Sequence, residues 1–225
     1  SIETLYHQLI KLPNAGIVGA TLLNSDDSVQ TSCIQSFPTI LNQLFDSNAL
    51  RNLFPEAGLW GMRPLFAVDA QPKQVDAVSG ACLMIKRPIF ESVGMFNTEY
   101  FMYSEDIDLC FKVREASLNT YYVPTAVFIH HGGKSSSNSG SNAFSSVMML
   151  ESRWRFFRKT RGTWYGRGYR AGMFCISLIR IVLLILLMWP ALRIFSSVSS
   201  LQSSIQKWKA RLRWTLCLEK WVKNY

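Results

Sequence analysis

The run Ile181–Leu192 (IVLLILLMWPAL) lacks any charged side chain, and it sits inside a longer apolar segment, Met173–Phe195. Such a stretch must leave water, either in a bilayer or inside a protein core, and it forces the last third of the chain to be helical and sheltered. A spanning helix needs about 20 mostly apolar residues, and a central Arg costs about 2.5–3.5 kcal/mol. Arg180 lies about a third of the way into the segment, where its long side chain can snorkel, and Pro190 predicts a kink. A single span and a helix lying in the interface both satisfy these constraints. The charge pattern sharpens the picture. Residues 1–150 hold 9 Lys and Arg against 13 Asp and Glu, whereas residues 151–225 hold 15 against 2. The net charge of +9 is thus a basic tail on a mildly acidic body, which speaks against a uniformly basic nucleic-acid-binding domain. Arg155, Arg158, Lys159, Arg161, Arg167 and Arg170 precede the segment and favour a cytoplasmic body, although Lys207, Lys209, Arg211 and Arg213 follow it. With Trp208, Trp214 and Trp221 interleaved, residues 205–223 read as a basic amphipathic helix on anionic lipid, the alternative being a core helix pair. The expected divisions are 1–142, 143–172, 173–197 and 198–225.

The body reads as α/β. Ile2, Leu5, Tyr6, Leu9 and Ile10 fall at helical spacing, with Ser1 as cap and Pro13 as stop. Ala15–Leu23 (AGIVGATLL) predicts a buried strand ended by the Asn24–Asp27 turn, and Gln30–Gln35 a second extended piece. An amphipathic stretch near Ile40–Leu50 is followed by a Gly/Pro-punctuated loop around Trp60. Val75–Lys86 predicts a strand interrupted at Ser79-Gly80, and Arg87-Pro88 opens a short helix that Gly94 ends. Ser104 is placed to cap a helix running to about Ser117, and Thr120–Ile129 predicts a strand whose Pro124 marks an edge or a bulge. Gly132–Asn142 (GGKSSSNSGSN) predicts a loop. Five widely spaced cysteines with no C-x-x-C pair support neither a disulfide framework nor a zinc knuckle, and fit a reducing compartment.

Three features bear on chemistry. Glu105 and Asp106 open a helix, where acidic residues offset the macrodipole but where one carboxylate can also face a cleft and act as general base. Neighbours on a helix point about 100° apart, so one of the two would move the proton. His130-His131 ends a strand, where one imidazole can reach a site above the sheet edge and join carboxylates and phosphate oxygens around Mn²⁺. Ser79-Gly80-Ala81 is small enough to let a ligand approach the backbone.

The order of these features is more specific than any one of them. Val75-Asp76-Ala77-Val78-Ser79-Gly80-Ala81-Cys82-Leu83-Met84-Ile85-Lys86-Arg87 comes first, followed by Val93-Gly94-Met95-Phe96-Asn97 and Phe101-Met102-Tyr103-Ser104-Glu105-Asp106-Ile107-Asp108-Leu109. Tyr122-Val123-Pro124 and Ile129-His130-His131-Gly132-Gly133-Lys134-Ser135 complete the series. From about Gly16 to Ser137 this resembles the C-terminal half of family-2 glycosyltransferases, above all the bacterial rhamnosyltransferase-like branch. The resemblance implies a GT-A-type mixed sheet with flanking helices, followed by a membrane-associated helical tail. It implies inverting transfer of a sugar, rhamnose being the commonest in that branch, from a nucleotide-sugar to a hydroxyl of a polyprenyl-linked glycan. Asp106 would be the base, and Glu105, Asp76 and the Ser79-Gly80-Ala81 turn would contact the acceptor or donor sugar. His130 or His131 would help hold a divalent cation, Mg²⁺ or Mn²⁺. The expected setting is the cytoplasmic side of the inner membrane, in surface polysaccharide or cell-wall synthesis, with no nucleic-acid partner. In that family the nucleotide-binding half and its Asp-x-Asp motif precede the helix at residues 1–11. Asp26-Asp27 and Asp106-Ile107-Asp108 are the close Asp pairs here, and neither follows a strand in the required position. The chain is therefore expected to hold the acceptor side and the base and to be inactive alone. Asn97 stands where the family commonly has Asp. A reading from another class is a non-catalytic, membrane-tethered module that binds a glycan or a partner enzyme.

Overall fold

The computed structural model describes residues 1–131, 141–194, 199–219 and 221–222. The loop expected over Gly132–Asn142 lies, up to residue 140, outside the described residues, as does the end of the apolar segment at Phe195. The chain divides into two units, Ser1–Thr98 with Ser104–Lys134, and Glu99–Tyr103 with Ser135–Tyr225.

In the first unit, strand β1 (Ala15–Leu23) coincides with the apolar run, and all but its last residue are buried, as a strand covered on both faces requires. It pairs in parallel with β6 (Asn119–Ile129) and antiparallel with β5 (Leu83–Ile85), while β3 (Lys73–Val75) runs antiparallel on the far side of β6. The resulting mixed sheet has the order β3-β6-β1-β5, in keeping with the α/β expectation. A separate two-stranded ribbon joins β2 (Ile34–Gln35) to β4 (Ala77–Val78). Helix α1 (Ile2–Lys11) lays Leu5 and Leu9 on Val18, Ala20, Val123 and Ala126. The opposite face receives α5 (Glu105–Glu115), whose Ile107, Leu109, Cys110 and Val113 are buried. Two glycines make that closeness possible. A Cβ on Gly16 would stand 2.4 Å from Val113 Cγ1, and one on Gly19 2.5 Å from Val78 Cβ.

Several local expectations change. The extended piece at Gln30–Gln35 shrinks to Ile34–Gln35, preceded by a lone bridge between Leu23 and Val29. The Ile40–Leu50 stretch becomes two short helices, α2 (Ile40–Leu44) and α3 (Asn48–Leu53), because Ser47 caps a new start by accepting from Leu50 N. Val75–Lys86 is not one interrupted strand but three pieces in two sheets. Helix α4 (Arg87–Ser92) follows as expected, with Gly94 at φ 82° just beyond it. Ser1 and Ser104 occupy cap positions without a capping side-chain bond, and Ser104 is left-handed at φ 68°. Pro124 marks a bulge, not an edge, since β6 lies inside the sheet. Ala20 pairs with Val123 and Thr21 with Val127, so residues 124–126 are extruded. Thr21 Oγ1 donates to the Pro124 carbonyl at 3.1 Å, which leaves the Tyr122 hydroxyl to donate to Thr21 at 2.7 Å.

The second unit is helical: α6 (Ser141–Arg161), α7 (Thr163–Ile194) and α8 (Ser199–Thr215). Gly162, at φ 87°, separates α6 from α7, and α7 runs through residue 172 without a break. Its interior is built on Glu151, which accepts from Trp214 Nε1 at 2.9 Å and from Arg155 Nε at 3.1 Å. The Arg170 guanidinium approaches Glu151 at 3.7 Å and lies between the Trp154 and Trp214 rings, 4.7 and 4.5 Å from their centroids. Trp214 is 1% exposed and belongs to this core, so it does not meet lipid. Trp208 lies against Arg211 of the same helix, and Trp221 stacks on Phe144 at 5.1 Å. Arg180 faces Trp208. The outer side of α7 is different, for Leu178, Ile179, Val182, Leu183, Ile185 and Leu186 are all exposed there. Thr163–Leu186 is long and apolar enough to cross a membrane.

Two outcomes follow from the packing of the first unit. Gly19→Ala should lower its stability by about 1–3 kcal/mol through overpacking, and adding Val78→Ala should return part of the loss; thermal melts of the two variants and the parent check this. Burial, with the Asp106 charge adding to it, pushes the Cys110 thiol from 9.0 up to about 12. The unfolded chain releases this proton near pH 9 while the folded chain keeps it to about 12, so stability falls as pH rises through that window. Cys110→Ala should flatten that fall in denaturant titrations run at stepped pH.

Candidate functional site

The Ser79-Gly80-Ala81 turn and Asp106 come together. Asp106 Oδ2 accepts from Gly80 N at 2.9 Å, and Oδ1 accepts from Ile107 N at 2.8 Å. A Cβ on Gly80 would stand 3.2 Å from Asp106 Cβ, so the turn packs against the carboxylate at close range. Ser79 N donates to the Cys33 carbonyl at 2.9 Å, which ties the turn to the β2 side, and Ala81 N donates to Ser79 Oγ. Asp106 is half-buried, and Glu105 beside it likewise. The chain enters this helix through two consecutive left-handed residues, Tyr103 at φ 67° and Ser104 at φ 68°, a conformation that costs non-glycine residues about 1–2 kcal/mol each.

Asp76 and Gly80 flank β4 on opposite sides. The Asp76 carboxylate accepts from Phe37 N at 2.9 Å, and it lines a cleft of about 490 Å³ together with Ser36, Gly58, Gly61, Pro64 and Gln74. The loop around Trp60 forms one wall of this cleft. Gly61 is left-handed at φ 71°, and its Cβ position falls 2.4 Å from Ser36 N, so no other residue fits there.

His130 and His131 follow β6 at the end of the sheet. His130 Nδ1 meets Gln30 Oε1 at 3.0 Å, and Gln30 Nε2 donates to the His130 carbonyl at 2.6 Å. His131 Nδ1 meets Ser25 Oγ at 2.7 Å. Both rings use Nδ1 in these bonds, which leaves Nε2 as the atom able to meet a metal. Among the described residues no three His, Cys, Asp or Glu side chains gather into a metal-holding group. The two imidazoles alone do not make a site, and a divalent cation there needs carboxylates or phosphate oxygens from outside the described residues. Gln30 and Ser25, which orient the two rings, lie about 100 residues away in sequence, and no local pattern marks them.

The third carboxylate of the motif has another task. Asp108 is 0% exposed and pairs with Lys112 Nζ at 3.6 Å, while Lys112 also donates to the carbonyls of Gly94 and Met95. This cluster ties the Gly94 turn to α5 and holds the helix in place beneath its N-terminal carboxylates.

The chain matches no protein-family model. It is 29% identical over 138 residues to N-acetylglucosaminyl-diphospho-decaprenol L-rhamnosyltransferase of Mycobacterium tuberculosis, covering 58% of this chain and 42% of that protein. It is 33% identical over 87 residues to rhamnosyltransferase WbbL of Escherichia coli, covering 39% of this chain and 32% of that one. Over 59 residues it is 36% identical to the low-salt glycan biosynthesis hexosyltransferase Agl10 of Haloferax volcanii, covering 26% and 19%. Rhamnosyl- and hexosyltransferases are therefore among its homologues, and the chain spans less than half the length of each of these three.

The different surroundings of the two aspartates predict different costs. Asp108→Ala should destabilise the first unit by about 2–4 kcal/mol, because it leaves the Lys112 ammonium without its buried partner. Asp106→Asn keeps an amide oxygen for one of its two backbone N–H groups and loses the other bond at a half-exposed position, so it should cost about 1–2 kcal/mol, less than Asp108→Ala. Denaturant unfolding of both variants gives the comparison.

Proposed function

We propose that this chain forms the acceptor-binding and base-bearing part of an inverting GT-A-type glycosyltransferase of family 2. The sugar, a rhamnosyl or other hexosyl group, moves from a nucleotide-sugar to a hydroxyl of a polyprenyl-diphosphate-linked glycan. The observation that carries this reading is the Asp106 carboxylate, fixed at the start of α5 by the Gly80 N–H. It lies beside the exposed Gly80 backbone and is itself only half-buried, so an acceptor can reach it from solvent. The sequence likeness to rhamnosyltransferases, one named for a diphospho-decaprenol acceptor, supports the substrate class.

In this reaction Asp106 takes the proton of the acceptor hydroxyl as that oxygen bonds to the anomeric carbon. The bond from that carbon to the donor diphosphate breaks, the diphosphate leaves with the electron pair, and attack from the opposite face inverts the centre. Glu105 and Asp76 have the chemistry to bind sugar hydroxyls, Asp76 from within the cleft beside Gln74. Mg²⁺ or Mn²⁺ bound with the donor would neutralise the departing diphosphate, and His130 or His131 is the imidazole this chain would bring to it. The outward apolar side of α7 supports a membrane setting, and the Arg and Lys residues that precede the segment favour the inner membrane with the first unit on its cytoplasmic side.

Asp106→Asn should lower transfer by about 10²–10⁴-fold, the usual worth of a general base, with donor binding within about twofold. Membranes from cells expressing the active protein provide the assay, with radiolabelled nucleotide-sugar for both readouts. An equal loss of binding and transfer would remove Asp106 from its role. Both Asp106 oxygens already accept backbone N–H bonds, which a purely structural carboxylate would also do. Undiminished transfer in Asp106→Asn would therefore make it a structural carboxylate, and absence of transfer in the parent would favour the tethered, non-catalytic module.

A further inference from the structure

The helical unit holds a cleft of about 480 Å³ between Glu99, Trp154, Arg155, Arg158, Lys159 and Thr163, with Glu151 at its floor. We infer that this cleft binds the diphosphate group of a membrane-embedded lipid. The inference rests on the transferase reading for the identity of that lipid, and on the cleft itself for the rest.

The charge arithmetic favours an anion. Glu151 is already matched by Arg155 and Arg170, and its second oxygen also receives Trp214 Nε1. Glu99 is the other carboxylate in the lining. Counting Arg155, Arg158, Lys159 and Arg170 against Glu99 and Glu151, the cleft carries net positive charge. The Arg158 guanidinium carbon lies over the Trp154 ring, 4.6 Å from its centroid. A guanidinium held against an indole is restrained in place, and Arg is the side chain suited to take phosphate by two charge-assisted bonds. Gly166 is what lets the stack sit there: a Cβ at that position would stand 2.8 Å from Arg158 Cγ and 3.3 Å from Trp154 Nε1. The stack is therefore built into the junction of α6 and α7.

The location argues for a lipid. Thr163 lines the cleft and begins α7, the helix long and apolar enough to cross a bilayer. Next to it, Trp164 is 79% exposed with Arg167 against its ring at 4.6 Å, and Arg161 lies over Tyr165 at 4.9 Å. An exposed Trp with Arg and a half-buried Tyr beside it, at the end of an apolar helix, marks the water–lipid boundary. A phosphate bound in the cleft would sit at that boundary, where the diphosphate of a lipid-linked glycan emerges from the bilayer.

The test is flotation of the full chain with phosphatidylcholine vesicles containing either a polyprenyl diphosphate or phosphatidylglycerol at matched surface charge, with soluble inorganic diphosphate as competitor. Binding to the polyprenyl diphosphate vesicles should be about ten-fold tighter, the worth of one or two charge-assisted phosphate contacts. Arg158→Gln with Lys159→Gln, both exposed positions, should bring the two vesicle types to equality. Lys207→Gln with Lys209→Gln on α8 should keep the preference. Equal binding of the parent to both vesicles would overturn the inference, as would a preference that survives loss of Arg158 and Lys159. Competition by soluble diphosphate at the same concentration as the lipid would assign the cleft to a free anion and overturn its lipid assignment. Absence of transfer in the parent while the vesicle preference persists would bring down the transferase reading and leave the cleft in place.

Discussion

The parallel pairing of β1 with β6 is the constraint on which the first unit depends. Two strands nearly 100 residues apart must lie side by side in one register, from Ala15 opposite Asn119 to Leu23 opposite Ile129. Parallel pairing demands a crossover, and here the intervening chain supplies the ribbon, the Trp60 loop and α5. Once the register is set, the pieces with chemistry fall into place. Gly19 admits Val78, so β4 can lie against β1 and carry the Ser79-Gly80 turn beyond it. The end of β6 arrives beside the end of β1, so Gln30 meets His130. The bulge at Pro124 lets a residue without an N–H sit inside a sheet, and the Thr21 hydroxyl serves the carbonyl it leaves over.

The helical unit answers to a different force. A buried carboxylate is costly unless it is fully matched, and Glu151 receives an indole N–H and two guanidinium groups. The Arg170 guanidinium is itself stacked on the Trp154 and Trp214 rings, which shelter the pair from water. Fifteen Lys and Arg in residues 151–225 would repel one another if they served only as a charged coat. Instead several are used internally, with Trp154 and Trp214 as stacking partners of Arg170. The outward side of α7 is left to aliphatic residues.

Local signals in the chain were good guides wherever one segment decides its own fate. The run AGIVGATLL has nothing polar before Thr21 to leave outside, so β1 and its ends are legible; α1, the Gly94 stop and the helix after Ser104 are legible for similar reasons. Features fixed by distant partners were not. The division of Val75–Lys86 between two sheets depends on which strand each piece meets, and Ser47 outcompeted the continuous amphipathic pattern around it. The inward turn of Trp214 depends on Glu151, which lies 63 residues earlier and reads alone as one acid among many bases. Of the site, motif order assigned the Ser79-Gly80-Ala81 turn and Asp106 to one substrate but not to each other, and the i, i+4 spacing of Asp108 and Lys112 gives their pairing without the complete burial of Asp108.

The left-handed pair Tyr103 and Ser104 has a consequence for how this protein could change. Both positions hold side chains in a backbone state that glycine adopts freely, directly ahead of Glu105 and Asp106. Selection for heat resistance alone would move them toward glycine, gaining folding stability while loosening the entry to α5. The hinge between robustness and a well-aimed carboxylate therefore lies in two neighbouring residues, and a lineage of variants improved for one property would show its trade against the other there first.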